Sequence, residues 1–217
     1  RLASDPQLSL SPSGEWFLNN FHVIQEALRQ VREDMPQRFY AELPTVETAS
    51  GERCTRIRHV AREIVRWSNN YLVLDQVRHF VRTYQAIANL TMGELWALAS
   101  MLRLAILETL TQAATEITGL QGPTGIDSRQ RKIGRSEALS EDRRVANCIL
   151  SLRGLAAHDW NDFFESTSQV ERILRQDPAD VYANMDFDTR DCYHKVAEEL
   201  ARATGLLRRG LDNNHIT

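Results

Sequence analysis

The sequence predicts an all-α protein, an irregular bundle of about seven helices that could divide into two sub-bundles. Three observations support this prediction. Apolar residues recur at helical spacing along nearly the whole chain, strand-like alternation is absent, and capping or breaking residues stand where helices would begin and end.

Four segments follow from these signals. They are an extended lead-in at 1–12, a first helical group at 13–118, a loop at 119–139, and a second helical group at 140–217. The loop contains four glycines and one proline between Gly119 and Gly134, a composition typical of a connection rather than a helix. The two groups are expected to pack together as one domain.

The first group is predicted to hold four helices, at about 13–34, 51–67, 74–88 and 92–118. Residues 36–50 are expected to form a turn of helix and then a loop. Pro36 would end the first helix, and Thr91 with Glu94 forms a T-x-x-E capping box at the start of the fourth. The first helix carries an apolar stripe that is expected to face inward: Phe17, Phe21, Ile24, Leu28 and Val31. The fourth is apolar around most of its circumference, which predicts burial on several sides.

The second group is predicted to hold three helices, at about 140–157, 159–175 and 189–204. Ser140 and Asp159 would begin the first two, and Gly205 would end the last. All four tryptophans of the chain stand on apolar stripes and are expected to be buried: Trp16, Trp67, Trp96 and Trp160.

Composition excludes several classes of function. The chain has 217 residues, 42% of them hydrophobic and 25% charged, with a net charge of −3, so nothing indicates a nucleic-acid partner. The longest strongly apolar run without charge, 95–102, is far shorter than the roughly 20 residues that a membrane helix needs. Three widely spaced cysteines, Cys54, Cys148 and Cys192, predict buried thiols in a reducing compartment.

The densest group of polar residues lies between Asp177 and Leu200, in the stretch DPADVYANMDFDTRDCYHKVAEEL. It contains Asp186, Asp188, Asp191, Cys192 and His194, which raises the possibility of a metal site. Cys192 and His194 are two positions apart, so on a helix they point to different faces. Asp191 and His194 share a face, but two ligands are fewer than a zinc site requires. The better interpretation is a helix start, with Asp188 as the cap and Asp191 in the first turn.

Other polar residues have structural interpretations as well. His158 lies beside Asp159 and Asp162 and could do acid–base chemistry, but no nucleophile is placed next to it, so a helix junction is favoured. Glu94 is explained by the capping box. Glu108 and Arg103, on the same apolar helix, are expected to be buried and paired, mutually or otherwise.

Two sets of basic residues could meet phosphate or anionic lipid headgroups. They are Arg58, Arg62 and Arg66 on one helix, and Arg129, Arg131, Lys132 and Arg135 in the loop. A solvated face with local partners such as Glu63 and Glu137 is favoured for both. The sequence contains neither GxxxxGK[ST] nor GxGxxG, so a self-contained nucleotide site is not predicted.

Three blocks of the chain, 15–44, 81–110 and 151–201, resemble the N-terminal region of bacterial cyclic β-1,2-glucan synthases. The third carries the pattern D-P-x-x-V-Y-x-x-M-D-F followed by T-R-D-x-Y. Cys192 and His194 depart from that pattern, which would place arginines there. The resemblance assigns no catalytic, cofactor-binding or metal-binding residue to this stretch.

The resemblance implies that this chain is part of a very large inner-membrane enzyme that builds β-1,2-glucan from UDP-glucose and closes it into rings. Its glycosyltransferase domain, with UDP-glucose and a divalent metal, would lie further along the polypeptide. The present piece is then expected to be a non-catalytic accessory domain on the cytoplasmic face of the membrane, with the remaining domains of the same polypeptide as its partners. Two alternatives stay open: a carbohydrate-binding or glycan-processing domain whose acids meet only in the fold, and a contact of the arginine stripe with an anionic membrane surface.

Overall fold

The structure is a computed structural model that describes residues 12–49, 51–118 and 135–203. In these residues the chain forms ten helices and one short hairpin of two strands, which confirms the all-α class. The helices are α1 Pro12–Asn19, α2 Phe21–Asp34, α3 Gln37–Glu42, α4 Arg56–Trp67, α5 Leu74–Gln85, α6 Met92–Thr118, α7 Arg135–Ala157, α8 Trp160–Thr167, α9 Gln169–Leu174 and α10 Phe187–Ala203. The strands are β1 Thr45–Glu47 and β2 Arg53–Thr55, and a 3₁₀ turn spans Tyr182–Asn184.

Contacts divide the chain into two units, each assembled from two separate stretches. Unit 1 is Arg1–Val73 with Ser100–His158, and unit 2 is Leu74–Ala99 with Asp159–Thr217. Helix α6 contributes its first residues to unit 2 and the rest to unit 1. The packing of the two predicted helical groups as one domain stays a prediction. Most of the predicted lead-in and loop, and the predicted stop at Gly205, lie outside the described residues. The predicted helix start at Ser140 is wrong, since α7 begins at Arg135 within the predicted loop.

The core of unit 1 is built from α4, α6 and α7. Helix α4 buries Ile57, Val60, Ala61 and Ile64, the face that the apolar spacing predicts. In the same unit α6 and α7 bury a further set: Leu102, Ala105, Ile106, Leu110, Val145, Ile149 and Leu152. Because burying a single Leu, Ile or Val side chain stabilises a fold by about 1.5–3 kcal/mol, this set supplies much of the force that holds the three helices together.

The predicted first helix is interrupted. Asn20 lies between α1 and α2 with φ −115° and ψ 14°, outside helical geometry. The expectation that the apolar stripe faces inward is wrong for two of its members: Phe21 is 53% exposed and Leu28 is 38% exposed. The neighbouring small residue, Ala27, is buried instead.

A β-hairpin replaces the predicted loop before α4. Strand β1 pairs antiparallel with β2, with Thr45 opposite Thr55, and Gly51 turns the chain with φ +80°. Strands of three residues are too short to show the alternation that marks a strand in a sequence. The expected helix start near Gly51 is therefore wrong, and α4 begins at Arg56.

In unit 2 local capping signals behave as predicted. The Thr91 backbone N–H donates to the Glu94 carboxylate at 2.8 Å, and the Glu94 N–H donates to the Thr91 hydroxyl at 3.2 Å. Asp159 caps α8 by accepting from the Asn161 N–H at 2.9 Å. The predicted helix at 159–175 is two helices, because Ser168 leaves helical geometry and caps α9. This corrects the expectation of one continuous helix there.

The prediction that all four tryptophans are buried is wrong. Trp67 is 60% exposed and Trp96 is 37% exposed, while Trp16 and Trp160 are half-buried. One face of the Trp96 indole is nevertheless covered, since it stacks on Phe164 with ring centroids 4.4 Å apart.

Candidate functional site

The polar stretch singled out by the sequence contributes three side chains to a cluster in unit 2 that is centred on the buried Glu171, the Glu171 cluster. Its members are Glu165, Glu171, Arg175, Tyr182, Arg190 and His194. They come from α8, α9, the 3₁₀ turn and α10, so the cluster ties together the last four elements of the described chain.

Asp177 positions Tyr182. Its carboxylate accepts hydrogen bonds from the backbone N–H groups of Ala179, Val181 and Tyr182 at 3.0, 3.2 and 3.3 Å. These bonds lower the pKa of Asp177, with those from Ala179 and Tyr182 the largest causes. The acid after α9 therefore shapes the turn that delivers the phenol to Glu171.

Asp186 begins α10. It accepts from the Thr189 N–H at 2.8 Å and from the Thr189 hydroxyl at 3.0 Å, the geometry of an N-cap. The predicted helix start is confirmed, but the predicted cap is wrong by two positions, since Asp188 is already inside the helix. Asp186 and Asp188 also have the D-x-D spacing of two carboxylates that could share a metal ion. The Asp186 carboxylate, however, accepts the hydrogen bonds that cap α10. The side chains of Asp188 and Asp191 lie outside the described part of the chain.

Glu171 is the centre of the cluster and is fully buried, with 0% of its surface exposed. One carboxylate oxygen, Oε2, accepts from the Tyr182 hydroxyl at 2.6 Å and from His194 Nε2 at 2.7 Å. The Tyr182 oxygen and His194 Nε2 are themselves 2.8 Å apart. Because Nε2 must carry the proton to donate to a carboxylate, this network assigns neutral His194 to the Nε2–H tautomer.

The second carboxylate oxygen of Glu171 is bound by arginine. Arg175 Nε donates to Oε1 at 2.6 Å, and Arg190 Nε lies 3.8 Å from the same atom. Both arginines also pair with Glu165, Arg175 at 2.8 Å and Arg190 more closely. Two carboxylates thus meet two guanidinium groups, so the charges of the cluster balance.

The cluster favours the ionised form of Glu171 and the protonated form of Tyr182. Burial alone would raise the pKa of Glu171, but hydrogen bonds from Tyr182, Arg175 and His194 outweigh it and lower the pKa. Burial and the bond to Glu171 raise the pKa of Tyr182. A carboxylate that stays ionised and a phenol that stays protonated suit a brace between elements better than a proton relay.

Cys192 and His194 point to different faces of α10, as predicted: the first is exposed and the second is buried. The expectation that all the thiols are buried holds for Cys54 and Cys148 and is wrong for Cys192. In the part of the chain that the structure describes, no three His, Cys, Asp or Glu side chains are placed to share a metal ion.

The acids near His158 both serve α8. Asp159 is the N-cap, and Asp162 accepts a hydrogen bond from Arg78 of α5 at 2.8 Å. Arg78 also lies over the ring of Phe163, 5.8 Å from its centroid. These contacts attach α5 to α8 within unit 2.

In unit 1 the predicted arginine stripe is engaged with carboxylates. Arg58 donates to Glu108 Oε1 at 2.6 Å and Arg62 donates to Glu108 Oε2 at 2.9 Å. Burial alone would raise the pKa of Glu108, but these two guanidinium groups lower it. Arg66 is close to the predicted partner Glu63, at 3.5 Å.

Glu108 therefore pairs with α4 rather than with Arg103. The expectation that Glu108 is buried is wrong, since it is half-buried. Arg103 is buried as expected, donates to the Leu155 carbonyl at 3.3 Å, and lies 3.9 Å from the Asp34 carboxylate. The loop residues Arg129, Arg131 and Lys132 and the side chains of Arg135 and Glu137 lie outside the described residues. No helix in the described ranges is both long enough and apolar enough to cross a membrane.

No family model matches the chain. A curated relative, the cyclic beta-(1,2)-glucan synthase NdvB of Rhizobium meliloti (strain 1021), is 28% identical over 262 residues. The match covers 91% of this chain and 9% of the relative, so the chain spans about a tenth of the relative's length. That the matched part is an N-terminal region stays a prediction. The resemblance drawn from the sequence is confirmed: the chain is related to that cyclic β-(1,2)-glucan synthase.

Proposed function

We propose that this chain is a non-catalytic helical accessory domain of a membrane-bound cyclic β-1,2-glucan synthase. Glucosyl transfer from UDP-glucose, with a divalent metal, would be carried out by other domains of the same polypeptide. The single observation that carries the proposal is the Glu171 cluster, because the buried Glu171 and the buried His194 of the polar stretch are used there to join elements.

The partners of the buried Glu171 and Glu94 and of the half-buried Glu108 support the same interpretation. A catalytic acid or base must come within hydrogen-bond distance of a substrate atom. Glu171 accepts bonds on both oxygens from side chains of its own unit, Glu108 accepts from two arginines, and Glu94 accepts from the Thr91 N–H. Each of these acids has a partner that explains it without a substrate.

The comparison supports a place within a larger polypeptide. A stretch that matches over 91% of its own length but only 9% of its relative fits one domain among many. We therefore propose that its partners are the remaining domains of the synthase, which it orients or regulates from the cytoplasmic face of the inner membrane. The pairing of Arg58 and Arg62 with Glu108 favours this role over a contact with anionic lipid.

The proposal is tested in the full-length parent enzyme by comparing Glu171→Gln with Glu33→Gln. Glu33 is an exposed carboxylate of α2, paired with Arg29 at 2.7 Å, and serves as the matched control. Incorporation of labelled UDP-glucose is measured per molecule of enzyme accumulated in the membrane. We expect Glu171→Gln to reduce accumulation and to leave incorporation per molecule unchanged, because the cluster holds the fold together.

Two results would contradict the proposal. One is a loss of incorporation per molecule in Glu171→Gln at normal accumulation, which would place the cluster in the chemistry. The other is turnover of UDP-glucose by the isolated 217-residue chain.

A further inference from the structure

The break between α1 and α2 is stabilised by hydrogen bonds of Asn20. Asn20 is buried, and its backbone N–H and its side-chain Nδ2 both donate to the Trp16 carbonyl, at 3.1 and 2.8 Å. Its Oδ1 accepts from the Arg153 guanidinium of α7 at 2.6 Å. Every polar atom of this amide end is therefore occupied in fixing the kink and in attaching it to α7.

The kink forms one side of a cleft in unit 1. The cleft has a volume of about 320 Å³ and is lined by Glu15, Trp16, Asn19, Asn20 and Arg153. This volume is at the lower end of the range of about 300–1,000 Å³ that is usual for small-molecule sites. Asn20 forms a buried part of the wall, whereas Glu15, Asn19 and Arg153 are exposed and Trp16 is half-buried.

The chemistry of the lining favours a ligand rich in hydroxyl groups. A hydroxyl group both donates and accepts hydrogen bonds, and the lining supplies an acceptor in Glu15, a donor in Arg153, and both in the Asn19 amide. Trp16 adds an indole, which offers a flat apolar face with a polar edge. One acid and one base balance each other, so the cleft has no excess positive charge with which to attract a phosphate.

We propose that this cleft binds a saccharide, with a pyranose ring against Trp16 and its hydroxyl groups hydrogen-bonded to Glu15, Asn19 and Arg153. The saccharide class is inferred from the lining alone. The choice of a neutral glucan as the ligand rests on the proposed function. The accessory domain would then hold a segment of the growing or finished glucan while other domains act on it.

The experiment measures amide hydrogen exchange by mass spectrometry in the full-length parent enzyme, with and without saccharide. The probes are β-1,2-linked glucose oligomers, β-1,4-linked glucose oligomers and UDP-glucose. We expect a glucose oligomer to slow exchange in peptides that contain residues 12–20 and 150–156. We also expect Trp16→Ala to weaken this protection, raising the apparent Kd by about tenfold or more, as for a central aromatic contact.

Variants separate loss of the site from loss of the fold. Trp67→Ala removes an exposed tryptophan of the same unit that does not line the cleft, and its protection should match the wild type. Glu15→Ala and Asn19→Ala alter exposed lining residues and should weaken protection without changing exchange in the absence of saccharide.

The proposal is overturned if neither oligomer protects these peptides, or if UDP-glucose protects them and the neutral oligomers do not. It is also overturned if Trp67→Ala weakens protection as much as Trp16→Ala. These outcomes would leave the accessory role standing, because that role is tested separately by the accumulation of Glu171→Gln. Conversely, turnover of UDP-glucose by the isolated chain would defeat the accessory role whatever the cleft binds.

Discussion

Replacing Glu171 with glutamine tests the central structural claim, because it changes the charge and hydrogen-bonding of one buried group and almost nothing of its shape. All the near groups around the carboxylate are donors: Tyr182 and His194 on Oε2, and Arg175 on Oε1. Glutamine has one acceptor oxygen and one NH₂ group. With the amide oxygen toward Arg175, the NH₂ group takes the place of Oε2, and the Tyr182 hydroxyl or His194 Nε2 has to accept a hydrogen bond instead of donating one. With the amide reversed, the NH₂ group faces the Arg175 donor.

The expected cost is a large share of the stability of the fold. Removing one partner of a buried ion pair costs about 3–5 kcal/mol, because the other charge is left uncompensated. Arg175 is 43% exposed and can turn to water or keep its bond to Glu165, which reduces that penalty. We therefore expect Glu171→Gln to lower the free energy of unfolding by about 2–4 kcal/mol, against a total of about 5–15 kcal/mol for an ordinary domain.

Urea unfolding of the 217-residue chain measures this difference. Circular dichroism at 222 nm follows all helices, and tryptophan fluorescence adds a signal from Trp96, which stacks on Phe164 in unit 2. The control is Glu33→Gln, which changes an exposed carboxylate on α2 whose solvent-screened ion pair with Arg29 contributes little to stability.

Tyr182→Phe provides an internal check on the magnitude. It removes one donor to Glu171 and leaves both His194 and Arg175 in place, so the expected loss is only about 1–2 kcal/mol. If Glu171→Gln changes the unfolding free energy no more than the control, or if Tyr182→Phe costs more than Glu171→Gln, the account of the cluster given above is refuted.

Three further predictions use the same chain. Thr91→Ala removes half of the capping box of α6 and should lower the unfolding free energy by about 0.5–2 kcal/mol, measured by urea unfolding; no change would contradict the capping role. The folded-state pKa values of Glu171 and Glu108 lie below their ordinary values, so the unfolded chain binds more protons near the ordinary pKa of about 4.3. Stability should therefore fall as the pH decreases from about 5 to about 3, and Glu171→Gln should make that fall shallower; an equal slope in both proteins would count against the effect. Cys192 is exposed, whereas burial raises the pKa of Cys148 to about 12. A thiol reagent at neutral pH should therefore modify Cys192 first and Cys148 only on unfolding. Modification of Cys148 in the folded chain would show that the core around it is accessible to the reagent.

Features that depend on a few neighbouring residues could be predicted from the sequence. Thr91 and Glu94 stand three positions apart, and Asp159 directly precedes the first residue of α8. In both cases the partner is within the same turn, so the spacing alone specifies the bond. The helix start after Met185 was predicted for the same reason. The error of two positions in its cap arose because Asp186 and Asp188 offer equivalent carboxylates to the first turn.

Features that depend on distant partners could not be predicted. In the sequence, Asn20 looks like an ordinary polar residue of a continuous helix. Its side chain is bound by Arg153, which is 133 positions away, so local spacing gives no sign of the break. Glu171 is three residues after Ser168, a capping pattern, but nothing in the spacing shows that Tyr182 and His194 meet at its carboxylate. The apolar stripe of the first predicted helix, of which Phe21 and Leu28 are exposed, shows a second limit. A helical apolar period predicts which residues share a face but not whether that face is covered.

The interleaved order of the two units has a consequence for synthesis on the ribosome. Unit 1 is Arg1–Val73 with Ser100–His158, and unit 2 is Leu74–Ala99 with Asp159–Thr217. Neither can close its core from its first stretch alone. Because translation adds about 5–20 residues per second, residues 74–99 emerge seconds before the stretch that completes their unit. A nascent chain halted near residue 120 would therefore expose the apolar residues of two incomplete cores to chaperones and proteases. Unit 1 would lack part of its second stretch, and unit 2 would lack all of its own.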